Sequence, residues 1–149
     1  MARLFLRLVR YWRGSSSAPA RASSRRLSVA LRVGQEWRFE GRPSDADPRL
    51  VIVRLESDPR LGELAHISVR GVHTKNPHHG RGYVEEAPHM PFSRLAVEAS
   101  VTELVSDSVP LPAYQDGYTE WKRSAGGALT VSVRDALDVV EQALKGSGQ

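Results

Sequence analysis

Apolar and polar positions alternate through the first part of the foldable chain and take helical spacing in the second. Glu36–Gly41 sets Trp37 and Phe39 between polar neighbours. Arg49–Glu56 reads Arg-Leu-Val-Ile-Val-Arg-Leu-Glu, almost continuously apolar and β-branched, as a central strand would be. Leu64–Val72 alternates again through Ala65, Ile67 and Val69. The links Arg42–Pro48 and Ser57–Glu63 are dense in Pro, Asp, Ser and Gly, so the three runs form an antiparallel meander joined by turns. Strict alternation puts Trp37, Phe39, Val51, Val53, Leu55, Ala65, Ile67 and Val69 on a core face. It puts Glu36, Arg38, Glu40, Arg54, Glu56, His66, Ser68 and Arg70 on the other.

Periodicity then lapses over Gly71–Gly82, which reads as a loop. Tyr83–Glu86 is a short fourth strand, and the two prolines of Ala87–Phe92 keep that stretch extended. Ser93–Ser106 is predicted helical: Ser93 is an N-cap, Phe92 and Val97 match a hydrophobic staple, and Val97, Val101, Leu104 and Val105 form the buried stripe. Pro110 and Pro112 follow. Ala113–Ala125 is a second helix, with Tyr114, Tyr118 and Trp121 on one face, ended by Gly126-Gly127. Leu129–Val131 is a short strand for the sheet edge. A last helix from about Ser132 to Lys145 buries Val133, Leu137, Val140 and Leu144. Strands followed by helices give an α+β fold, a three- to five-stranded antiparallel meander with about three helices packed on one face.

Charge divides the chain. Residues 1–35 hold eight arginines and no acid, whereas 36–149 holds 13 basic and 17 acidic residues. The pI of 9.8 therefore describes a +8 leader rather than the −4 body. The expected organisation is a basic Ser/Arg-rich leader over 1–33, disordered or amphipathic, one globular domain over 34–146, and a tail over 147–149. Arg3, Arg7 and Arg10 would share one face of a helix with Leu4, Leu8 and Tyr11 beside them, as at a membrane surface, and the acid-free composition also suits organellar targeting. Val33, just before Gly34, would equally serve as an alternative start of translation. Without cysteine the chain has no disulfide, thiolate metal site or Cys nucleophile. A cytoplasmic location is expected, with an organellar or membrane-surface one if the leader targets.

Four sets of residues invite chemistry. Five histidines fall between His66 and His89, but no His-Glu-x-x-His helix or zinc spacing organises them, so neither metal nor cofactor is expected. Arg38, Arg54 and Arg70 would line up across strands as an anion-binding face. Glu36, Glu40 and Glu56 interleave with them, and ion pairing explains the row without a ligand. Tyr114, Tyr118 and Trp121 would stack bases or, as is commoner for such a stripe, join the core. Lys75, Asn76, His78, His79 and Arg81 make the Gly71–Gly82 loop cationic, though it lacks the Gly-Lys-Ser/Thr of a P-loop.

Val33-Gly34-x-x-Trp37, His66-Ile67-Ser68-x-x-Gly71-Val72, Lys75-Asn76-Pro77, His89-Met90-Pro91-Phe92-Ser93, Ser100-Val101-x-Glu103-Leu104 and Gly117-Tyr118-x-x-Trp121 resemble a family of small uncharacterised bacterial proteins. The resemblance spans about 33–145 and implies no activity. It draws attention to His66, Lys75, Asn76 and His89 as polar positions within its motifs.

With no nucleophile motif, the expectation is a small soluble binding or interaction module rather than an enzyme. It would engage a protein partner or a small-molecule ligand, and would meet nucleic acid or an anionic membrane only through residues 1–33. An immunity-type protein that neutralises a toxin with surface carboxylates is one version. The competing expectation is a small enzyme or ligand-binding protein in which His66, Lys75, His78 and His89 converge beside the Gly71–Gly82 loop.

Overall fold

Hairpin turns and β-branched runs build the sheet in chain order, as the computed structural model shows; it describes residues 29–146. The strands are β1 (Glu36–Phe39), β2 (Arg49–Asp58), β3 (Gly62–Lys75), β4 (Tyr83–Ser93) and β5 (Val101–Ser106). The helices are α1 (Arg94–Ser100), α2 (Gln115–Arg123) and α3 (Val133–Gly146). All strand pairs are antiparallel, in the order β4-β3-β2-β1-β5. The fold is α+β: a four-stranded meander with β5 returning beside β1. No described helix is long and apolar enough to cross a membrane.

Bulges reset the alternation. Between Ile52 and Arg54 the β2–β3 register shifts, so Val53 is an extra residue in β2. Leu50 and Ile52 therefore join Ala65, Ile67 and Val69 in the main core, and Val51 pairs with Ser68 on the opposite face. That corrects the assignment of Val51 and Val53 to the core face. A second irregularity between Arg70 and Thr74 hides the continuation of β3, which runs through Gly71 to Lys75 and leaves a loop of only 76–82. β4 reaches Ser93 despite Pro88 and Pro91, because it is an edge strand and its outer N–H groups have no ladder to supply. Leu129 contributes a single parallel bridge to Phe92 rather than a strand.

The helix expected over Ser93–Ser106 ends at Ser100. The Ser93 hydroxyl caps it by accepting from Ala96 N at 3.2 Å. The Ser100 hydroxyl donates to Ala96 O and accepts from Val133 N, pinning the end of α1 to the start of α3. Beyond it, β1 offers an open edge to a β-branched run, and ladder pairing Trp37↔Leu104 and Phe39↔Val101 overrides the helical spacing.

Helices α1 and α3 pack on the face formed by Ala65, Ile67, Val69 and Phe92. Leu64 and His66 alternate to the opposite face yet are fully buried, because α2 covers them with Trp121 and Tyr118. Helices thus lie on both faces, a departure from the single covered face that periodicity suggests. A polar-looking face hides its buried patch when only one or two of its positions need cover.

The domain also reaches further back than residue 34. Leu31 is 2 % exposed within the main core, with Val29 packed against it. A chain trimmed to 34–149 should therefore be less stable than one trimmed to 29–149 by about 2–5 kcal/mol, the usual cost of emptying a core leucine site. Urea unfolding of the two measures this. Expectations for the leader before residue 29 and the tail at 147–149 lie outside the described residues.

Candidate functional site

Three neighbouring strands bring three titratable side chains into one line on the face that α2 covers. The register Arg54↔His66 and Glu56↔Leu64 sets Glu56 of β2 beside His66 of β3. In β4 the register runs from Ile67↔Met90 to Val69↔Ala87, so β4 carries an extra residue there and His89 turns toward His66. His66 Nε2 lies 2.7 Å from Glu56 Oε1, and His66 Nδ1 lies 2.8 Å from His89 Nε2. Tyr118 donates its hydroxyl to Glu56 Oε2 at 3.0 Å.

Electrostatics fixes the protons. Burial pushes the Glu56 carboxyl up, but hydrogen bonds from His66 and Tyr118 outweigh it, and the group stays below its ordinary range and ionised. Burial pulls the His66 imidazole down, against the hydrogen bond and charge of Glu56, and Arg54 and Lys122 add to the lowering. Burial, then the neighbouring His66, holds His89 at about 3. At neutral pH both rings are therefore neutral. His66 Nε2–H donates to the Glu56 carboxylate, leaving Nδ1 to accept from His89 Nε2–H. His89 Nδ1 is left as a lone pair at the end of the chain.

The roof is specific. The edges of Tyr118 and Trp121 meet His66, with ring centroids 5.0 and 4.8 Å away. Trp121 Nε1 donates to Gly127 O at 2.8 Å, which satisfies the buried indole. Gly117 lies over His89, and a Cβ there would stand 2.8 Å from His89 Cβ, so α2 can lie this close only with glycine. At the rim, the Arg54 guanidinium stacks over Tyr118 at 4.3 Å. Chemically the arrangement can bind and pass protons. Among the described residues no group of three His, Cys, Asp or Glu is disposed to hold a metal ion. Three of the four ring nitrogens are turned toward each other and toward Glu56.

The remaining candidates lie elsewhere. Lys75 is nine residues beyond His66 on the same strand, about 30 Å away along it. His66 and His89 meet, whereas Lys75, Asn76, His78, His79 and Arg81 gather at the far end of the β3–β4 hairpin, so these residues form no single pocket. At that end Asn76 is buried and organises the turn: its Oδ1 accepts from His78 N, and its N–H donates to Gly82 O. His79 N donates to Asn76 O. The Lys75 backbone N–H donates to Glu141 Oε2. Arg81 stacks over Tyr83, whose ring lies on His73.

Arg38 and Arg70 do share a cross-strand row, but Arg49 stands between them in register and Arg54 belongs to the histidine site. Arg38 pairs with Asp47 and Glu103, and Arg70 with Glu36. Alternation places Glu56 and His66 on one face, but nothing in their spacing signals that the two bond. Tyr118 and Trp121 fit a core stripe by spacing, and their polar partners, Glu56 and Gly127 O, lie outside that stripe.

Comparison with known proteins found no matching family model, no matching curated protein and no matching solved structure.

Proposed function

We propose that this chain is a small binding module that docks an extended segment of a partner protein as a sixth strand along β5. The supporting observation is the contrast between the two edges of the sheet. β4 is guarded by Pro88 and Pro91, by exposed Glu85 and Glu86, and by the Leu129 bridge. β5 has no proline or lysine and exposes Leu104 and Val105, at 41 % and 36 %, in consecutive positions. Unguarded apolar edges are templates for strand addition, and proteins ordinarily blunt those they do not use.

The same corner gathers further apolar surface. Val109 N donates to Gly34 O, which brings Val33 and Leu111, at 47 % and 43 % exposed, to the end of β5. Glu103 and Asp107 supply exposed carboxylates along it, on a body with an acidic excess. A segment with apolar side chains at alternate positions and an arginine or lysine facing Glu103 fits this edge.

Panning a displayed library of random twelve-residue peptides against the full chain tests the reading. Selected peptides should be apolar and basic, and Leu104→Lys should weaken them about tenfold or more, about 1.4 kcal/mol, without changing the fold. Peptides that bind Leu104→Lys as tightly as the parent would refute docking at β5.

A further inference from the structure

The Glu56–His66–His89 chain takes no part in docking at β5. It is built from two buried histidines and a half-buried carboxylate on three strands, and it ends under a short helix that depends on it for contact. We propose that it is a proton-binding site whose loading unlatches α2 from the sheet.

In the neutral state each gap holds one proton, Glu56···H–Nε2 of His66 and His66 Nδ1···H–Nε2 of His89. Among the ring nitrogens, a proton from solvent can enter only at His89 Nδ1, the one whose lone pair no described group shares. The proton on His89 Nε2 then passes to His66 Nδ1, and the positive charge comes to rest on His66 beside the Glu56 carboxylate. Every hydrogen bond survives this first step, with the direction of one reversed. The only ring lone pair then left is His89 Nε2, which faces His66; a second proton can reach it only as His89 turns away, and it leaves both facing nitrogens protonated and the His66–His89 bond lost. The charged groups facing the site are Arg54 and Glu56 from β2 and Lys122 from α2, with the Tyr118 hydroxyl on Glu56. Arg54 and Lys122 disfavour a cation there, so uptake is costly while α2 is docked and easy once it lifts and water enters.

The helix suits such a latch. α2 spans nine residues, contains Gly117, and begins at Tyr114 without a side-chain cap, so it has little stability of its own. Pro110 and Pro112 precede it, and Ala125 in the left-handed region (φ 50°) with buried Gly126 and Gly127 follows, so neither flank extends the helix. Its inward contacts are Gly117 on His89, Tyr118 on Glu56 and His66, and Trp121 on His66 and Leu64.

The sign follows from the histidines being held below their ordinary value of 6.5. Docking of α2 is fully supported above about pH 6.5 and is lost progressively as the pH falls toward 3. Amide hydrogen exchange on the full chain, corrected for intrinsic rates, reads it. Between pH 7 and pH 5 the protection of Tyr118–Ser124 should fall on the order of twentyfold, while β2 and β3 keep theirs. His89→Gln retains a donor to His66 but removes one of the two titrating rings, and should weaken this dependence. An α2 protection that does not change with pH, or a His89→Gln chain that loses as much as the parent, overturns the proposal. If that variant does not fold, imidazole ¹⁵N shifts of the parent decide. His89 Nδ1 should be unprotonated at pH 7, and a protonated Nδ1 there would contradict the proposed chain.

Discussion

Arg42→Ala should destabilise the domain by about 3–5 kcal/mol, as removal of one partner from a buried charge network does. Arg42 and Asp45 are side chains with almost no solvent contact. The guanidinium makes two bonds to Asp45, Nη2 to Oδ1 at 3.0 Å and Nε to Oδ2 at 3.1 Å. It also reaches Glu141 Oε2 at 3.0 Å, Asp138, the His73 carbonyl and Thr74. One residue in the β1–β2 turn thus fastens β3 and α3 together. Alanine would strand the Asp45 carboxylate, which still accepts from the backbone of Arg42 and His73 but has no counter-charge.

Burial pushes the Asp45 carboxyl up, and its hydrogen bonds to Arg42 and His73 hold it below its ordinary value instead. Its contribution to stability is therefore complete above about pH 4 and is lost only as the pH falls further, outside most of the histidine window. Urea unfolding at pH 7 measures the effect. Arg42→Ala combined with Asp45→Ala should cost less than the two single changes added, because the second removes the stranded charge. A loss under about 1 kcal/mol for Arg42→Ala would show that the network contributes little.

Gly71→Ala carries the other large expectation. Gly71 sits in the left-handed region with φ 72°, and a Cβ there would meet the Asp47 carbonyl oxygen at 1.8 Å. That oxygen belongs to backbone, and the Asp47 N–H donates to Gly71 O at 3.0 Å, so neither partner can move without breaking the tie between the β1–β2 turn and β3. Backbone strain and overpacking together should cost about 3 kcal/mol or more. Gly62 provides the control. It has a similar φ of 84° but nothing within 4 Å of its would-be Cβ, so Gly62→Ala should cost only about 1–2 kcal/mol, from conformation alone. Equal losses at the two positions would mean that the contact with Asp47 is not what requires glycine at 71.

The strands around Phe39 and Ile67 and the helix around Leu137 were legible in the sequence because local periodicity and burial agree there. Where they part, the reading fails for identifiable reasons. Val101–Ser106 suits either a helix or a strand on spacing alone, and only the free edge of β1, remote in sequence, decides. The extra residues at Val53 and near His89 shift the alternation by one, which turns Val51 away from the core and His89 toward His66. Pairing of His66 with His89 needed that second shift, so the two could be singled out as polar positions but not joined. Asn76 looked like part of a cationic loop, and its buried turn-forming bonds appear only when the loop closes. Leu31 was lost in a segment whose arginines and serines dominate its composition.

Site-specific photocrosslinking tests docking at β5. A photoreactive side chain would replace Thr102 on β5 in the full chain, with Arg81 at the hairpin tip and Lys122 on α2 as comparison positions, in cells that produce the protein. One protein adduct should form at position 102, mapped to an apolar and basic extended segment of the partner, and Leu104→Lys should abolish it. Adducts formed at 81 or 122 and absent at 102 would contradict docking at β5.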